Sequence, residues 1–206
     1  TKPDHPEHWL LKDYINSSAS GIMSNHFRLD DNTFLDARYV KQIKETTPSG
    51  MFYDRGVEGL WVSGEGVVYP DFDREKHSIT AKQVRQLRFD RVFAGVDWGW
   101  EHWGAIVVIG VTGKRYYIIE EHAAQHRFID DWILTARDII ARHGDISFYC
   151  DPARTEHVAA FQKAGIRAYL ANNRVLSGIE AVATLMKNDL FRIVYDECPR
   201  IRDEIY

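Results

Sequence analysis

The sequence predicts a mixed α/β fold for residues 91–206, and three observations predict it. Short apolar runs rich in Val, Ile, Tyr and Phe recur along this stretch, as buried strands require. The first three are joined by turns, whereas the later ones alternate with segments of helical period. Two of the runs, FAGVD at 93–97 and ISFYCD at 146–151, each end on one carboxylate, Asp97 and Asp151.

Taken in order, residues 92–97 are the first predicted strand, 104–111 (GAIVVIGV) the second and 115–120 (RYYIIE) the third. Thr112-Gly113-Lys114 makes the last two a hairpin. Residues 128–143 form a long helix, with Ile129, Trp132, Ile133, Ala136, Ile139 and Ile140 on one face. Gly144-Asp145 ends it, and 146–150 is a fourth strand. A helix over 156–164 closes on Gly165, which serves as its C′ residue. Residues 166–170 are a fifth strand. Ser177 and Glu180 have capping-box spacing and are expected to open a helix that runs to Lys187. Residues 190–195 are a sixth strand. Pro199 suits the first turn of a last helix, with Ile201 and Ile205 on one side.

Three antiparallel strands followed by α/β units is the ribonuclease-H-like arrangement, a mixed central sheet flanked by helices. In it the first and fourth strands lie side by side and parallel, ~4.8 Å apart. Asp97 and Asp151 would then meet at one sheet edge, and Gly95 and Gly99 would leave room for close approach. Two such carboxylates suit a hard divalent cation, which takes oxygen ligands and keeps several waters. Two ions so held can clamp an in-line phosphoryl displacement. The plain alternative is that each Asp only caps the turn after its strand.

Other residues point less directly. Glu120 and Glu121 end the third strand and could reach the metal edge, but are expected as solvated strand-end charges; Asp203 and Glu204 could supply a late carboxylate, but are expected as a solvated helix face. His122, His126 and His143 lack ligand spacing. Asn172, Asn173 and Arg174 precede a helix N-terminus, where a phosphate can dock. Arg154 and Lys187 complete the set of expected DNA contacts. Lys82, Arg85, Arg88 and Arg91 recur every third residue and would form a basic stripe if helical. GVTGK at 110–114 is not a nucleotide-binding loop, because Val108 and Arg115 stand where that loop needs Gly and Ser or Thr.

Residues 1–65 have a different character. Residues 8–15 and 34–46 read as helices, 26–29 as a short strand and 59–62 as a short apolar piece. Thr47-Pro48-Ser49-Gly50 stops the second helix. These pieces do not make a self-sufficient α/β unit. Residues 66–90 read as a connector.

Composition narrows the field. The chain has 206 residues, 45% hydrophobic and 27% charged, with net charge −4. That suits a globular protein with a real core. Nucleic-acid contact must then come from local basic groups. The two cysteines, Cys150 and Cys198, have neither disulfide-framework nor zinc spacing and fit a reducing compartment. No run is long enough to span a bilayer, and no signal peptide is visible. The start, without Met, reads as part of a longer chain.

FAGVDWGWEHWGAIVVIG, YCDPA and SGIEAVATLM resemble the C-terminal nuclease domain of the large terminase subunit of tailed double-stranded-DNA bacteriophages. HWLLKDYI, SNHFRLDDNTFL and GLWVSGEGVVYPDF resemble the end of that subunit's ATPase domain and the passage into the nuclease. The resemblance implies the C-terminal segment of an ATPase domain at 1–65, a connector at 66–90 and a ribonuclease-H-like nuclease at 91–206 lacking its C-terminal part. It implies an endonuclease that cuts concatemeric viral DNA, using two ions of Mg²⁺ or Mn²⁺. Asp97 and Asp151 match its first- and fourth-strand metal aspartates, and its third acidic ligand is expected beyond Tyr206. Viral double-stranded DNA, the small terminase subunit and the portal or procapsid are the implied partners, in the host cytoplasm and away from membranes. No Walker motif is present, so ATPase activity is not implied. Three readings compete: a resolvase or transposase, a non-catalytic DNA- or procapsid-docking module, and an actin-like or sugar-kinase ATPase. The last is disfavoured by Trp98, Trp100 and Glu101 where phosphate would need space.

Overall fold

The computed structural model describes residues 8–16, 23–62 and 67–205. Contacts divide the chain into two units: 1–72 with 179–188 and 206, and 73–178 with 189–205.

In the first unit, 11–15 form a single π-helical turn. The strand expected at 26–29 is absent. Leu29–Asp31 is a 3-10 turn, fixed when the Asp31 carboxylate accepts the Arg28 N–H at 2.8 Å. Helix α1, Ala37–Thr46, starts where Asp36 accepts the N–H groups of Arg38 and Tyr39. Gly50, at φ 74°, then turns the chain into α2, Met51–Gly56, which the sequence pattern did not announce. Residues 1–7, 17–22 and 63–65 of the expected 1–65 segment, and residue 66 of the expected connector, lie outside the described residues.

The second unit is built on a seven-stranded sheet. From residue 73 onward the elements in chain order begin with α3 (Arg74–His77), β1 (Ser78–Ile79), α4 (Ala81–Val84) and β2 (Arg91–Asp97). β3 (Gly104–Thr112), β4 (Arg115–Ala124), α5 (Ile129–His143) and β5 (Ser147–Cys150) follow. Next come α6 (Thr155–Lys163), β6 (Ala168–Leu170), α7 (Val175–Lys187), β7 (Phe191–Val194) and α8 (Pro199–Glu204). Of these, most of α7 belongs to the first unit. The spatial order of the strands is β1-β7-β4-β3-β2-β5-β6. β2, β3 and β4 pair antiparallel; β5 runs parallel to β2, β6 to β5 and β7 to β4. The ribonuclease-H-like arrangement is therefore present.

Three local expectations change. β1 lies within the stretch expected as connector and pairs parallel with β7, Ser78 with Ile193 and Ile79 with Val194. Two residues are too short to leave a sequence period. The basic stripe does not form: α4 ends at Val84, so Arg88 lies in a loop and Arg91 in β2. The capping box of Ser177 does not open α7, because the helix already runs from Val175 and Gly178 donates to the Arg174 carbonyl at 3.0 Å.

The core covers one face of the sheet. Ala94 and Val96, Ile106 and Val108, Phe148 and Cys150, and Ala168 are buried there. They form one cluster with Trp132, Ala136 and Ile139 of α5 and Val158 and Phe161 of α6. Side chains alternate along a strand, so Phe93, Gly95, Asp97 and Tyr149 turn to the opposite face, where Tyr149 is exposed. Near its middle, β4 carries one extra residue: Ile109 pairs with Ile118 but Val108 with Glu120, leaving Ile119 as a bulge. Gly110 has a packing reason, since a Cβ there would meet the Phe89 ring at 2.6 Å.

Phe148 is fully buried at the centre of this cluster and packs edge-on to Phe161 at 6.0 Å. We expect Phe148→Ala to cost about 3–5 kcal/mol, read as a lower denaturant midpoint with an unchanged slope.

Candidate metal centre

β2 rises through a buried run and delivers Asp97 at its exposed tip. β5 does the same for Asp151, the first residue past the strand. The parallel register pairs Val96 with Cys150, and the Asp151 N–H donates to the Val96 carbonyl at 2.9 Å. The two carboxylate-bearing positions are thus neighbours on adjacent parallel strands. Trp98, buried just past Asp97, ties the two strand ends by donating its indole N–H to the Asp151 carbonyl at 3.1 Å. It is wedged edge-on against His157 and Phe161 of α6, at 5.1 and 5.2 Å. Burial, and then the Arg154 charge, hold His157 below its ordinary pKa.

The electrostatics are those of two crowded anions. Burial first, and then the negative charge of Asp151, push the Asp97 carboxyl above its usual range, against the N–H of Trp98. The Asp151 side chain accepts the Ala153 N–H at 3.2 Å and so also starts the 3-10 turn Pro152–Arg154. Among the described residues, no Lys or Arg pairs with either carboxylate. No group of three His, Cys, Asp or Glu side chains that could hold a metal is found among them either. Two oxygen donors with unbalanced charge suit a hard cation that keeps most of its waters. Gly99 folds the turn beyond Asp97 tightly, since a Cβ there would meet the Gly104 nitrogen at 2.3 Å. Gly95 has open space over it.

The other expected residues separate. Arg154 is exposed on the turn that follows Asp151. Asn173 and Arg174 are exposed immediately before α7. Lys187 closes the far end of α7 and is engaged elsewhere: its ammonium donates to Asp71 at 3.2 Å and Ser49 at 3.1 Å.

Glu120 and Glu121 are not solvated strand ends. Burial opposes ionisation of Glu120, but donors on His122, His143 and Arg142 outweigh it and hold the carboxyl well below its usual range. His143 lies at 3.1 Å and Arg142 at 3.2 Å, both from the end of α5. Glu121 accepts the N–H groups of Arg200 and Ile201 at 2.8 and 2.9 Å, capping α8 from another element. Burial nevertheless raises its pKa. A cleft of about 590 Å³ opens beside it, lined by Trp103, Glu121, His122, Arg127, Arg200 and Asp203. The register Asp97–Ala105–Ala123 puts this cleft at the same sheet edge as the aspartates. Asp203 itself is exposed and pairs with Arg202 at 2.9 Å. Both thiols are buried, and burial pushes Cys150 up to about 12, so neither offers a reactive thiolate.

No protein-family profile matches the chain, and no curated protein matches it. Solved structures do. The large terminase of a thermophilic bacteriophage superposes with a TM-score of 0.80 at 23% identity, over 93% of this chain and 49% of that one. The fold is that of phage large terminases. The same phage's large terminase in complex with ATP-gamma-S gives 0.79 over 95% of this chain and 51% of that one. The chain thus spans about half the length of these full terminases. Two terminase nuclease domains match a smaller part. That of phage P22 gives 0.51 at 14% identity, over 63% of this chain and 73% of that one. That of phage SPP1, with bound Mn, gives 0.50 at 20% identity, over 62% and 72%. No helix among the described residues is long and apolar enough to cross a membrane.

The raised pKa of Asp97 has a direction in stability. The folded state holds that proton more tightly than the unfolded chain, whose value is near 3.8. Stability therefore falls as pH rises from about 4 through the folded value, and the penalty is complete above it. Without added metal, Asp97→Asn is expected to raise the melting temperature at pH 7, with the gain vanishing below pH ~4. A thermal-melt series across pH reads this directly.

Proposed function

We propose that this chain carries the nuclease part of a phage packaging terminase and hydrolyses phosphodiester bonds of double-stranded viral DNA. The observation that carries the proposal is the pair Asp97 and Asp151, side by side at the ends of adjacent parallel strands and unpaired by any described cation. Their oxygen donors and excess negative charge fit Mg²⁺ or Mn²⁺. The likeness to nuclease domains, one of them with bound Mn, supports the same choice.

In this reading Asp97 and Asp151 are the residues that would hold the divalent ions. When bound, the ions would supply an acidified water and neutralise charge on the phosphate. The remaining work falls to this chain. Trp98 fixes the spacing of the two strand ends through its bond to the Asp151 carbonyl. Asp97 must release its proton before it can bind a cation, so ion affinity rises with pH through its raised pKa. Arg154, Asn173 and Arg174 are the side chains proposed to meet the sugar-phosphate backbone. They would give orientation without sequence preference. The small terminase subunit and the procapsid, in the host cytoplasm, complete the proposed setting.

Nicking of supercoiled plasmid tests the site. Asp97→Asn and Asp151→Asn are expected to abolish Mn²⁺-dependent nicking while DNA binding persists, and unchanged nicking by either variant would sink the assignment. Titrating Mn²⁺ to 100 times its Kd should stabilise the wild-type chain by about 2.7 kcal/mol. The same titration should leave the double variant's melting temperature flat.

A further inference from the structure

Beside the aspartates, the turns 98–103 and 125–128 form an aromatic tip that the proposed chemistry does not use. Trp100 is 37% exposed and Phe128 67% exposed. Their rings meet edge-on at 5.0 Å, and the His126 ring stands perpendicular to Trp100 at 5.5 Å. A third ring, Trp103, is 42% exposed and carries the Arg200 guanidinium 4.6 Å from its centroid.

This tip is braced. Gly99 lets the first turn fold back on itself, since any Cβ there would strike backbone at 2.3 Å. The His126 N–H donates to the Trp100 carbonyl at 3.1 Å, and the Gln125 amide to the Glu101 carbonyl at 2.6 Å. The two turns are therefore laced to each other. Rings held this way lose little entropy when a ligand covers them. Trp100 lies three residues beyond Asp97 in the turn that leaves β2, and Phe128 is held against it, so the pair sits at the sheet edge that carries the carboxylates.

Resting on the nuclease reading, we propose that Trp100 and Phe128 form a stacking platform for an unpaired DNA base next to the phosphate held at Asp97 and Asp151. Inside a duplex both faces of a base are covered by its neighbours. A flat ring can therefore take only a base that is unpaired, at a strand end, a bulge or a single strand. Base–aromatic stacking needs no particular sequence, because every base has a π-face. The platform makes the chain prefer DNA with an unpaired base over intact duplex.

The test measures binding by the full chain in the absence of metal, so that cleavage does not intervene. The probes are a fluorescent duplex, the same duplex with one bulged base, and the single strand. Trp100→Ala is expected to weaken binding to the bulged and single-stranded probes roughly tenfold and to leave the intact duplex unchanged. Trp100→Phe should restore most of the loss, and Phe128→Ala should reproduce part of it. Equal losses on all three probes, or no loss, would overturn the platform; in that case the tip's exposed rings serve a protein partner instead. Should Trp100→Ala not fold, quenching of wild-type tryptophan fluorescence by the single strand, diminished in Trp100→Phe, decides the matter, and absence of quenching counts against it. A failure here is separable from failure of the nuclease reading, which rests on nicking by the Asp97→Asn variant.

Discussion

The parallel pairing of β2 with β5 is the constraint on which the rest depends. It is a short contact: four residue pairs, closed by one hydrogen bond from Asp151 to Val96. Parallel strands cannot be joined by a tight turn. β3, β4 and all of α5 therefore serve, topologically, to return the chain to β2 in the same direction. The apolar face of α5 and the buried residues of β2 and β5 are the physical means of that return. A weakened core here would separate two carboxylates, not merely loosen a domain.

Holding two anions together against their repulsion costs stability, and the fold offsets it locally. Trp98 braces the strand ends from one side and Phe161 stands behind it. On β4, two strands away in the sheet, Glu120 is surrounded by cationic and imidazole donors. The sheet thus carries two kinds of acid. One is neutralised by its neighbours and acts as structure. The other pair is left unneutralised, which is what a cation-binding site requires.

Much of this was legible in the residues. The six strand runs, the α5 stripe and the carboxylates at strand ends all follow from period and terminal residue, because one face of each strand is committed to a core. The adjacency of Asp97 and Asp151 followed only from chain order. What stayed hidden lacks a local signature. Ser78–Ile79 becomes a strand because β7 offers it an edge. α7 starts at Val175, ahead of the capping signal of Ser177, because the Arg174 carbonyl already accepts from Gly178. Glu121 looks like any charged strand end, and only tertiary structure reveals that it caps α8. Lys187, with no local sign of a partner, reads as a free cation until Asp71 and Ser49 come to it from over a hundred residues away.

The bulge at Ile119 sets the parity of β4. Before it, the strand's even and odd positions follow the register of the hairpin; after it they are exchanged. Were Ile119 to take Val108 as its partner, Glu120 would pair with Val107 on the Asp97 side and Glu121 with Ile106 against the core. The first would lose its Arg142 and His143 partners, and the second would leave the start of α8 uncapped. One extra residue therefore decides which of two adjacent, chemically identical acids belongs to the scaffold and which to the cleft. A slip of register in this strand, unlike a change of length in its loops, would exchange the faces that the two acids occupy.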